Sequence, residues 1–155
     1  MTIRRQDIQT AVLARLATIT TGNGYHTEIG ANVLSGRGRA IDGSYIPIEG
    51  SELPCVLPRF PVNEATRVNM DGVVEWQMTA ELEVRCEEGS STETFLNQAT
   101  ADIYSAVGTD ERWSGFAEKT MRVTDETVVG KAERLVGISL LKLAIVYRTS
   151  GWDES

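Results

Sequence analysis

One histidine, two cysteines, four prolines and a shortage of basic residues set the first limits on this chain of 155 residues. A structural zinc site needs four ligands, drawn mostly from Cys and His. His26, Cys55 and Cys86 are scattered singly, so no metal site and no cofactor is expected. Both cysteines sit inside apolar, strand-like runs. They read as reduced, buried small hydrophobes rather than a disulfide, which fits an intracellular protein. Lys and Arg number 15 against 22 Asp and Glu, a formal charge of −7. A sequence-independent nucleic-acid binder needs a basic stripe, so this charge balance argues against that class. No segment approaches the roughly 18 apolar residues of a membrane span. The opening MTIRRQDIQTAVLARL has two arginines with no apolar run behind them, which makes a poor secretory signal. No membrane partner is expected.

Catalytic signatures are scarce too. A catalytic histidine needs an orienting partner and a nucleophile within reach, and no motif around His26 supplies either. His26 therefore reads as exposed or structural. The glycines of SGRGR, residues 35–39, lack the G-x-x-x-x-G-K-[ST] pattern and the strand–turn–helix setting of a phosphate loop. Glu81/Glu83 and Glu87/Glu88 offer paired carboxylates, but alternating Glu on the solvent side of an antiparallel strand is routine. No catalytic residue is assigned.

What is present suits one globular domain over residues 1–155, with 41% hydrophobic and 24% charged residues. From Ile3 to about Ile19 the apolar residues Ile8, Val12, Leu16 and Ile19 recur at helical spacing. The TTGNG that follows stops the helix. Tyr25–Leu34 is expected as a first strand, although its alternation is weak. Four glycines within residues 35–52 predict a long mobile arm. Leu53–Phe60 reads as a short strand, with Pro54 and Pro58 implying an edge position or a bulge. PVNEATRVNMDG then reads as a connection ending in the turn Asp71-Gly72.

VEWQMTAELEVRCE, residues 74–87, is the clearest strand. Val74, Trp76, Met78, Ala80, Leu82, Val84 and Cys86 share one parity, and Glu75, Glu81 and Glu83 share the other. Ser90 and Glu93 have capping-box spacing for a second helix ending near Gly108. A strand from about Thr120 to Val129 and a last one from Leu135 to Thr149 complete the chain, with a short tail from about 149. The last strand is apolar on both faces, so it is expected either at the sheet centre or covered by helices on one side and a partner on the other. The order α-β-β-β-α-β-β predicts an α+β fold: a mostly antiparallel sheet of about four to five strands with two helices on one face.

Several blocks together resemble the small tail-completion proteins of phages and prophages. They are AVLARLATITTGNGYHTEIGANV, the glycine-arginine arm leading to SELPCVLPRF, IYSAVGTDERWSGFA and LLKLAIVYRTSGWD. The helix and strand order is similar to the tail terminators of long-tailed phages. That resemblance implies a non-enzymatic structural protein of the virion tail, assembled in the host cytoplasm. It implies a homo-hexameric ring that caps the tail tube, ends its polymerisation and meets a head-side connector or neck protein. DNA would pass through the ring without sequence-specific binding.

In such a ring the candidate contact residues are Arg37, Arg39, Tyr45 and Ile46 of the arm, with Trp113 and Trp152. Glu75, Glu81 and Glu83 are candidates for the channel wall, where negative charge discourages DNA from sticking. Another neck or tail-completion role is the alternative. From a different class, so is a small ligand-binding or enzymatic α+β domain using the acidic strand and His26.

Overall fold

A computed structural model describes residues 3–37, 48–131 and 135–153. Two helices, α1 (Arg4–Leu16) and α2 (Thr92–Gly108), join four strands: β1 (Cys55–Val68), β2 (Val73–Cys86), β3 (Lys119–Lys131) and β4 (Leu135–Ser150). The strands form one sheet in the order β1-β2-β4-β3. Every neighbouring pair is antiparallel. The fold is therefore α+β, with β4 between β2 and β3 inside the sheet, the first of the two placements its two-faced apolarity allowed.

The helices cover one face. Ile8, Val12 and Leu16 of α1 and Leu96, Ala99, Ile103 and Ala106 of α2 are buried. They meet Met78, Ala80, Leu82 and Val84 of β2 and Leu141, Leu143, Ile145 and Tyr147 of β4 in one core. Leu82 opposite Leu141 and Met78 opposite Ile145 are cross-strand pairs on that face. Burying each such side chain contributes about 1.5–3 kcal/mol. Gly137 lets the start of α2 lie directly on β4: a Cβ there would stand 2.4 Å from Thr92 Cγ2 and 2.8 Å from Leu96 Cδ1.

Arg15 ties α1 to the end of α2, donating from Nη1 to the Ala106 carbonyl at 3.0 Å. A cation at a helix C-terminus is also favoured by the dipole. The same guanidinium lies 5.8 Å from the centre of the Trp113 ring.

Three expectations need correction. Tyr25–Leu34 is not a strand. It carries a short 3-10 turn, Ile29–Ala31, and only one bridge, Val33 to Val56. The turn packs hard on the end of α1, where a Cβ at Gly30 would stand 2.6 Å from the Ile19 carbonyl oxygen.

Second, β1 does not end at Phe60 but runs through the polar PVNEATRV to Val68. Register shifts between Arg59 and Val62 and between Ala65 and Arg67 absorb the irregular residues. The turn after it forms as expected, with Gly72 at φ 82° and the Val73 amide on Asp71 Oδ1 at 3.1 Å.

Third, the Ser90/Glu93 capping box does not form, because residues 89–91 make a 3-10 turn and no side chain caps at Ser91. Thr92 Oγ1 secures that turn instead, donating to the Gly89 carbonyl at 2.8 Å. Cys55 and Cys86 are buried and free, as expected.

Candidate functional site

His26 has the orienting partner that no sequence motif announced. Asp102 stands within the apolar stripe of α2, its side chain 2% exposed. It accepts from the His26 amide at 3.0 Å and from His26 Nδ1 at 2.8 Å. Its other oxygen accepts from the Thr27 amide at 2.8 Å and Thr27 Oγ1 at 2.7 Å. Burial pushes the Asp102 carboxyl upward, but the hydrogen bonds from His26 and Thr27 outweigh it and hold the group below the ordinary aspartate range.

The imidazole itself is 64% exposed. Among the described residues its ring bonds Asp102 alone, and the nearby Thr27 hydroxyl is spent on the same carboxylate. A base without a nucleophile does not make covalent chemistry. The geometry is that of an anchor, two backbone amides and two side chains tying the 25–27 loop to α2. The available signal was an Asp three residues after Ala99 and one before Ile103, inside a buried stripe.

The acidic parity of β2 is a chain of ion pairs. Glu75 meets Arg148 at 3.2 Å. Glu81 meets Arg59 at 3.2 Å and Lys142 at 3.8 Å. Glu83 meets Arg85 at 2.9 Å, with Arg59 at 4.0 Å. Glu83 is fully buried, and its Oε1 makes no hydrogen bond.

Glu83 therefore cannot line a channel, which corrects that expectation. Glu75 and Glu81 remain partly exposed, each with a cation already beside it. Glu81 and Glu83 share a face, but arginine lies between them and they do not form a bare carboxylate pair.

Trp113 is also reassigned. It is 1% exposed, and its Nε1 donates to Thr120 Oγ1 at 2.8 Å, so it anchors its own domain and offers nothing to a neighbour. Arg37 pairs with Glu52 at 2.6 Å, closing the two flanks of the arm on each other. Arg39, Tyr45 and Ile46 lie outside the described residues.

Trp152 stays a candidate, with its whole side chain in solvent (104%). It stands beside exposed Val68 and half-buried Trp76 around a groove of about 340 Å³. The Trp76 indole is held there by a 2.9 Å bond to Thr149 Oγ1.

A second surface was not foreseen. β3 is exposed over nearly its whole length, including Met121, Val123, Val128 and Val129. Its main tie to the helices is Tyr104, whose hydroxyl donates to Asp125 Oδ2 at 2.8 Å while Arg122 lies 4.1 Å from the ring centre. Burial and the bond to Asp125 push the Tyr104 phenol up to about 12.

Among the described residues no cluster of His, Cys, Asp or Glu is arranged to hold a metal ion. No described helix is long and apolar enough to cross a membrane. No family model matches the sequence, and no curated protein matches it.

Proposed function

We propose that this chain is a structural subunit of a phage or prophage tail, a tail terminator that forms a ring on the finished tail tube. The ring ends tube polymerisation and offers its far side to a head-side connector or neck protein. It acts in the virion tail after assembly in the host cytoplasm, and it catalyses nothing.

The observation that carries the reading is the exposed edge strand. β3 presents 13 residues of a sheet with both faces and one edge largely uncovered, four of them large exposed hydrophobics. Edge strands of free-standing proteins are normally short, charged or covered; β3 is charged at Lys119, Arg122, Asp125, Glu126 and Lys131, but it is neither short nor covered. A strand left open at this length suits a chain completed by neighbours. The tryptophan-bearing end at Trp152 supports the same view.

Size-exclusion chromatography with light scattering, alone and with tail tubes, tests it. A ring has a mass of several times 17.0 kDa, about six times for a hexamer. A monomer that ignores tubes at every concentration sinks the reading.

The His26–Asp102 pair favours a second reading, a small enzymatic or ligand-binding domain. Replacing His26 with Ala separates the two. It abolishes an enzyme's turnover and leaves tail capping intact.

A further inference from the structure

We infer that the start of the open part of β1, Val62–Glu64, pairs antiparallel with the start of β3, Lys119–Met121, of a second copy, in one fixed register, so that the sheet continues from subunit to subunit. The inference deepens the ring reading and rests on it for its closure.

Topology comes first. Four antiparallel strands in the order β1-β2-β4-β3 leave β1 and β3 at opposite edges, running in opposite directions. A head-to-tail repeat therefore meets an antiparallel partner at every junction. The first half of β1 is closed to such pairing. Val56 already bonds Asn32 and Leu34, and Pro58 and Pro61 have no N–H to give. Val62–Val68 is the free part.

Charge and apolar matching then select the register. On the face opposite the helices, Val62 and Glu64 follow each other on β1, and Met121 and Lys119 on β3. Setting Glu64 against Lys119 of the second copy brings Val62 against Met121, two apolar side chains 43% and 37% exposed. Neither Glu64 nor Lys119 has an ion-pair partner within its own chain among the described residues.

The same register keeps the sheet level. Val62, Thr79, Ala144 and Met121 form one row across the four strands, as do Glu64, Gln77, Val146 and Lys119. Each row then passes into the same row of the next copy, and no residue step accumulates. A heterologous contact of that kind closes into a ring when the rotation between copies closes, which is where the pairing rests on the ring reading. Just beyond the overlap both strands carry irregularities, at Arg59/Val62 and at Arg122/Thr124. Bulges bend strands, which carries β3 clear of the blocked half of β1.

Cross-linking tests this directly. The double variant Val62→Cys/Met121→Cys, oxidised at high concentration, should give a ladder of covalent multimers on non-reducing electrophoresis. Each single variant should stay monomeric. The native thiols do not compete, because burial pushes Cys55 up to about 11 and Cys86 to about 12.

Glu64→Lys and Lys119→Glu should each weaken association roughly two- to fivefold per contact, with the double exchange restoring it. Absence of a ladder, or dimers from a single-cysteine variant, overturns the pairing. A chain that stops tube growth without forming a ladder loses this register and keeps its tail function. A ladder with no effect on tubes does the reverse.

Discussion

Asp102 and the three tryptophans show how far side-chain type falls short of side-chain role. Asp102 is a carboxylate in a buried helix stripe, and it is there because the 25–27 loop brings donors to it. Replacing it with Ala leaves buried amides without acceptors, and we expect a loss of about 2–3 kcal/mol in chemical denaturation. His26→Ala removes one partly exposed contact and should cost under about 1 kcal/mol.

The sign of the pH effect follows from the lowered Asp102 value. Its stabilisation is fully present above the ordinary aspartate range and is lost as pH falls through the lower folded-state value. Thermal melts should therefore show the gap between wild type and Asp102→Asn narrowing only in strong acid. A gap that closes near neutrality would contradict the assignment.

Trp113 and Trp152 should behave oppositely. Trp113→Ala empties a core position and should cost about 3–5 kcal/mol of monomer stability. Trp152→Ala, at a fully exposed side chain, should leave the melting temperature unchanged and weaken association measured by light scattering. Nothing in the local sequence separates ERWSG from SGWDE. What separates them is the turn at 113–115, where Trp113, Ser114 and Gly115 all take positive φ and turn the indole inward.

Among the elements, β2 and both helices were readable because each carries a single uninterrupted period. Val74 to Cys86 alternates cleanly, and Ile8, Val12 and Leu16 keep helical spacing. The second half of β1 was unreadable for a physical reason. Its side chains from Pro61 onward are mostly exposed, so burial never imposes a pattern on VNEATRV, and pairing with β2 alone makes it a strand. Tyr25–Leu34 misled in the other direction: it holds apolar residues at a fixed loop position rather than in a ladder.

The candidate site was half readable. The acidic parity of β2 was plain, but Arg59, Lys142 and Arg148 come to it from other strands, and only the register reveals them. Gly137 tests the joint between α2 and β4. Gly137→Ala drives a methyl into Thr92 and Leu96 and should cost about 1–3 kcal/mol in denaturant unfolding. A neutral result would mean that α2 does not sit on β4 as closely as 2.4 Å requires.

At the scale of the whole molecule, the helix-covered face is closed and the rest of the sheet is not. One face holds a continuous core. The other face carries a paired ionic row, β3 leaves one edge open, and an apolar end at Val68, Met70 and Trp152 lies exposed. Removing one member of a buried ion pair costs about 3–5 kcal/mol because the other charge is left unpaired, and Glu83 is the fully buried member here.

A terminator stops a tail tube by capping it, and growing tubes can be watched as it does so. The cognate tube protein is polymerised with and without this chain, and tube lengths are measured by electron microscopy. Capping by this chain should give tubes that stop lengthening, each with a ring at one end. Tubes that keep growing at an unchanged rate, with no density added at either end, would contradict it.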